Sequence, residues 1–117
     1  MSKIRYKITI QYDGSYFSGW QIQKNKITVQ GLLEKIFQKI SKSSSRIIVY
    51  GSSRTDAGVH AFGQVAHVDL SLNLNNQKIK DALNGNLPMY CRVSEVKKVD
   101  LDFNARFSAR SREYIYQ

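Results

Sequence analysis

Within residues 51–65 the sequence places one carboxylate, Asp56, two positions from one guanidinium, Arg54, with Thr55 between them and Gly51, Gly58 and Gly63 around them. A carboxylate can attack an electrophilic carbon and leave again, or take up a proton. A guanidinium can hold a phosphate, and glycines let a backbone turn tightly or approach a ligand closely. The same residues also build ordinary loops, where an Asp caps a turn and an exposed Arg beside it contributes little. His60 and His67 lie seven apart with no third ligand nearby, so no metal site is expected. Cys91 is the single cysteine, which excludes an internal disulfide or a cysteine zinc cage and fits a small apolar packing residue.

The surrounding pattern supplies the elements that must hold this segment. Ile4, Tyr6, Ile8, Ile10 and Tyr12 alternate with polar residues as a half-buried strand does, and Asp13-Gly14 ends it. Val29, Leu32, Leu33, Ile36, Phe37 and Ile40 recur at helical spacing behind a Thr28 cap, and the serine-rich residues 41–45 close that helix. Residues 46–50 and 64–70 read as strands, so the Asp56 segment is a glycine-bearing connection between two strands. A weaker helix is expected over residues 76–83, stopped by Asn84-Gly85-Asn86, followed by a strand over residues 90–99. Phe103, Ala105 and Phe107 alternate again, and Tyr114-Ile115-Tyr116 starts one more strand. This order predicts an α+β fold, an antiparallel sheet with helices on one face, of the ferredoxin-like or RNA-recognition type.

With 117 residues, 42% of them hydrophobic and 23% charged, the chain is expected to form one domain or part of one. No apolar run reaches the ~18 residues of a membrane span and residues 1–6 lack a secretory apolar region, so a cytoplasmic protein is expected. Eighteen basic against nine acidic residues give a net charge of +9, which favours an anionic partner, nucleic acid ahead of membrane. Arg106, Arg110 and Arg112 form a basic run beside Tyr114, either a solvated face or a phosphate contact. Tyr12, Tyr16, Phe17 and Trp20 could stack on bases but read better as core and hairpin packing. A non-catalytic RNA-binding module is the alternative function, and the Lys/Arg-Gly-Phe/Tyr strand signature of such modules is missing. The last alternation stops at Gln117 without a cap or turn, so a truncated domain is expected.

The Gly-x-x-Arg-Thr-Asp-Ala-Gly-Val-His-Ala segment, residues 51–61, resembles the active-site motif of the tRNA pseudouridine synthase A (TruA) family. Three further blocks agree in order and spacing. They are Tyr12-Asp13-Gly14 with Phe17, Gly19, Trp20 and Gln21; Thr28-Val29-Gln30-Gly31; and residues 103–109 leading into Arg112-Glu113-Tyr114-Ile115-Tyr116. The resemblance implies the amino-terminal half of an enzyme that isomerises uridine to pseudouridine in the tRNA anticodon stem-loop, at tRNA positions 38 to 40. It implies no cofactor and no metal, and a homodimer at full length. By motif match Asp56 takes the nucleophile's place and Tyr114 that of the tyrosine stacking on the target base. Arg54 would touch a phosphate or fill the gap left by a flipped nucleotide, and the 117 residues alone would be inactive. Ser53 departs from the family pattern, which has glycine there, and a serine fits only at negative φ.

Overall fold

The structure, a computed structural model, describes residues 3–108 and 114–115. Strand β1 (Ile4–Tyr12) leads through a 3-10 turn, Gly14–Tyr16, and an irregular segment to helix α1 (Val29–Ser41). Strands β2 (Val49–Gly51) and β3 (His60–Leu70), helix α2 (Asn76–Asn86), strand β4 (Cys91–Val99), a short helix α3 (Ala105–Ser108) and strand β5 (Tyr114–Ile115) follow. The sheet runs β2-β3-β1-β4 with every pairing antiparallel, and β5 joins β3 beyond the end of β2. A βαββαβ order on such a sheet is the ferredoxin-like α+β arrangement expected from the sequence.

The period of two in β1 does what it implies: Tyr6, Ile8, Ile10 and Tyr12 are buried, while Arg5, Lys7 and Thr9 face the other side half-exposed. Helix α1 lays Val29, Leu33, Ile36 and Phe37 on that buried face, joined by Ile79 and Leu83 from α2. Each such side chain contributes about 1.5–3 kcal/mol by leaving water. The Thr28 hydroxyl accepts from the Gly31 amide and starts α1, and Lys42, at φ 53°, ends it with its N–H on the Gln38 and Lys39 carbonyls.

Several boundaries differ from the sequence reading. Strand β2 begins at Val49 instead of residue 46, because the Arg46 guanidinium turns to the buried Glu34 carboxylate at 2.7 Å. Strand β3 begins at His60, which shortens the Asp56 connection. Helix α2 continues through Asn84-Gly85-Asn86, since the Asn84 side chain bonds the Val93 backbone of β4 at both its N–H and C=O and does not break the helix. The alternation over residues 103–107 is not a strand: Ala105–Ser108 is helical, and the Ala105 N–H donates to His67 Nδ1 at 3.0 Å. Among the described residues no helix is long and apolar enough to cross a membrane, and no three His, Cys, Asp or Glu gather where a metal could bind.

Candidate active site

The connection between β2 and β3 is irregular, yet Ser52, Ser53 and Thr55 before Asp56 and Val59 after it are each held by a hydrogen bond. At its start the Ser52 amide donates to the Val65 carbonyl, and the Ser52 hydroxyl donates to Gln64 Oε1, both at 2.7 Å. Gln64 is fully buried, and its side-chain amide donates in turn to the Ser53 carbonyl at 2.7 Å. A buried amide satisfied on both sides fixes the chain more firmly than one exposed to water. The φ of Ser53 is not positive, since the only described non-glycine residues at positive φ are Asn25 and Lys42. A serine is therefore accommodated where the resembling family carries glycine.

Thr55 is held at both ends. Its carbonyl accepts from the Trp20 amide at 3.0 Å, and its hydroxyl shares a 2.7 Å hydrogen bond with the Tyr12 phenol. That contact requires a glycine at position 19: its φ is +90°, and a Cβ there would stand 2.6 Å from the Thr55 oxygen. Gly14 fits as closely against the Val59 carbonyl, while its amide donates to His60 Nδ1 at 2.7 Å. Because that ring nitrogen accepts, it carries a lone pair, and its 3.1 Å approach to Asp13 is not a charge pair. The Asp13 carboxylate caps Ser15 instead, and the Ser15 hydrogen bonds hold it below the usual carboxylate range. The Tyr12-Asp13-Gly14 and Gly19-Trp20 blocks thus pack directly on the Asp56 loop.

Asp56 sits in the turn those contacts close, where the Val59 N–H returns to the Asp56 carbonyl at 3.2 Å. Its carboxylate is exposed and, among the described residues, forms no hydrogen bond or ion pair. It lines an open groove of about 570 Å³ together with Arg54, Thr55, Gln21, Gln23 and Lys26. A carboxylate beside hydrogen-bonding amides and two cations can attack an electrophilic carbon of an anionic substrate that the cations draw in. Lys26 escaped the sequence reading because it stands in a polar stretch without periodicity, and only the fold brings it to Asp56.

The other expected site residues divide. Arg54 shares the groove with Asp56, and Arg106, exposed at the start of α3, lines a neighbouring groove that also includes Arg54. The Tyr114 backbone pairs with Ala61 on β3, five residues beyond Asp56, so the chain brings this position to the strand the loop feeds. Arg110 and Arg112 lie outside the described residues. Tyr12, Phe17 and Trp20 are buried as expected, but Tyr16 is exposed and stacks on Tyr90 with ring centroids 3.9 Å apart. His67 is a buried acceptor, and burial, with the nearby Arg5 charge adding to it, lowers its proton affinity. Cys91 is wholly buried, which pushes its thiol up to about 12 and leaves it unreactive.

Residues 8–108 match the sequence profile of the tRNA pseudouridine synthases. The chain belongs to that family. Among curated relatives it is 49% identical over 114 residues to tRNA pseudouridine synthase A of Maricaulis maris, covering 97% of this chain and 45% of the relative. It is 50% identical over 116 residues to the protein of that name in Ehrlichia ruminantium, covering 97% and 46%. The match to the Limosilactobacillus reuteri protein is 49% over 114 residues, covering 97% and 44%. The chain thus spans about half the length of these pseudouridine synthases. The profile takes in every anchor of the Asp56 loop, from Tyr12 and Gly19 to Gln64, so the family match and the locked loop coincide in the chain.

Proposed function

We propose that this chain is the amino-terminal half of an enzyme that converts uridine to pseudouridine in the anticodon stem-loop of tRNA, at tRNA positions 38 to 40, with Asp56 as the nucleophile. The observation that carries the reading is an exposed carboxylate on a loop fastened on both sides by buried or backbone hydrogen bonds, beside Arg54 and Lys26. A carboxylate used only as a turn cap needs none of that support.

In the reaction the N1–C1′ bond of uridine breaks, the uracil turns within the site, and C5 bonds to C1′. C5 gives up its proton and N1 gains one, so substrate and product are isomers. The Asp56 carboxylate forms a transient ester at C1′ or an adduct at C6, and either route needs the same fixed carboxylate against one nucleoside. Fixing it beforehand removes the cost of ordering the loop at the moment of reaction. A uridine inside a folded stem-loop must leave its stack to reach the carboxylate, and Arg54 occupies the space it leaves or holds its phosphate. Tyr114, entering along β3, supplies an aromatic face for the target base, and Arg106, Arg110 and Arg112 contact phosphates. The remaining half of a protein as long as the relatives supplies the opposite wall of the site and pairs two copies into a dimer. The 117 residues alone fold but do not turn over.

The test is tritium release from C5-labelled uridine in tRNA by the protein at its natural length. Replacing Asp56→Asn abolishes release while tRNA affinity stays nearly unchanged, because phosphate contacts supply most of the binding. Substantial release by the variant would remove Asp56 from the nucleophile's role.

A further inference from the structure

Beside the Asp56 groove lies a second one of about 750 Å³, and the two share Gln21 and Arg54. Asn104 and Arg106 from the α3 end line it as well, and so does Tyr50. This tyrosine is unusual for a short edge strand: it is 49% exposed on the sheet face opposite α1 and α2, with its ring already set. One ring face stacks on His67 at 4.9 Å and 21°. His67 is itself fixed by the Ala105 N–H and by the edge of Phe103. Arg5 anchors the same segment, donating to the Leu101 and Phe103 carbonyls at 2.7 and 2.6 Å while it binds Asp69 with two nitrogens. An aromatic ring whose rotamer is locked from behind, flanked by two arginines, has the parts that hold one nucleotide of a single strand: a face for the base and cations for its phosphate.

An edge strand can also take an incoming β-strand, but this edge is closed to one. The outward N–H of Val49 donates to Glu34 Oε2 at 2.9 Å, and its outward carbonyl accepts from the Gln30 amide at 3.1 Å. The Arg46–Glu34 ion pair sits over the same edge. At Val49, therefore, the edge offers no free backbone, and the groove presents the side chains that line it.

We infer that this groove binds a nucleotide of the RNA strand next to the one presented to Asp56, with its base on the Tyr50 ring and its phosphate between Arg54 and Arg106. The inference rests on the proposed RNA-directed activity and adds to it a second recognition position that sequence did not single out. The shared Arg54 makes the two grooves one continuous track, so a strand can enter both only when its neighbouring nucleotides splay. The subsite accepts any base with a stacking face, and it contributes affinity and register without touching the reacting bond.

The test compares uridine monophosphate with the dinucleotide UpU as competitors of labelled tRNA, using the protein at its natural length. The dinucleotide binds more tightly than the monophosphate by about 5- to 150-fold, the range of one base-on-aromatic stack. Tyr50→Ala removes that advantage and leaves monophosphate binding in place, while Tyr50→Phe and Tyr50→Trp keep it. Equal competition by the two ligands in the wild type, or an unchanged ratio in Tyr50→Ala, would overturn the subsite even while Asp56-dependent turnover persists. A wild-type protein that binds no tRNA would overturn both this inference and the activity beneath it. Loss of monophosphate binding together with a collapsed circular dichroism spectrum in Tyr50→Ala moves the decision to Arg106→Ala, which must lower the dinucleotide advantage for the inference to stand.

Discussion

Gly19 is the position where the fold most directly sets the place of Asp56, and Gly19→Ala tests that coupling. The new Cβ would lie 2.6 Å from the Thr55 carbonyl oxygen, whereas ordinary contact begins near 3.4 Å, so the loop must retreat by a large fraction of an ångström. The φ of +90° adds about 1–2 kcal/mol of backbone strain for any residue with a Cβ. Losing the 3.0 Å hydrogen bond from the Trp20 amide adds about 0.5–1.5 kcal/mol. Together these put the stability loss at about 1.5–3.5 kcal/mol. Displacing a reacting group by ~1 Å can cost on the order of 100-fold in rate, so turnover should fall by roughly 10- to 100-fold. Affinity for tRNA should change less than turnover, since on the proposed reading phosphate contacts spread over several cations supply most of the binding. Gly58→Ala is the control: φ is +83°, but nothing lies within 4 Å of a Cβ there, so strain acts without collision and the loss should be smaller. Urea unfolding, filter binding and tritium release on the same preparations separate the three quantities. A Gly19→Ala protein that loses the expected stability yet turns over at the wild-type rate would refute the claim that this contact places Asp56.

Two further outcomes follow from the scaffold. His67 is held neutral by burial and its affinity for a proton is lowered, so the unfolded chain protonates first as pH falls through about 6.5, and folding stability declines from there downward; in His67→Asn, whose side-chain oxygen can still accept from Ala105, the urea midpoint should fall less between pH 7.5 and 5.5, and parallel curves would mean that another group governs the acid limb. Gly85 lies near the end of α2 with open space around its Cβ position and no positive φ, so Gly85→Ala should raise stability by up to about 1 kcal/mol in the same urea assay, and a loss there would show that the last turn of α2 needs glycine.

Much of the frame was legible because it is local. The alternation of β1, the Thr28 cap and the apolar stripe of α1 are each written within a few residues, and the Asp56 connection stood out because its glycines and charges lie between two apolar runs. What escaped depends on partners far along the chain. The alternation at residues 103–107 resembles a strand, but Arg5 and His67, nearly a hundred and about forty residues away, draw its backbone into a turn and a short helix. Asn84-Gly85-Asn86 has stop-signal composition, yet Asn84 spends its polar groups on β4. In the sequence residue 50 is simply the end of an expected strand, and only the register that sets Tyr50 opposite His67 shows a supported, exposed ring. Lys26 joins Asp56 through the path of the irregular segment before α1, which no periodicity encodes.

The central claim is that the locked Asp56 carboxylate performs the isomerisation in the anticodon stem-loop. It is tested most directly by mapping pseudouridine, nucleotide by nucleotide, in an unmodified tRNA transcript incubated with the wild-type protein at natural length and with Asp56→Asn. The account predicts pseudouridine at tRNA positions 38 to 40 with the wild type and none with the variant, at equal tRNA occupancy. Pseudouridine formed by the variant at those positions, or wild-type product confined to another part of the tRNA, would contradict it.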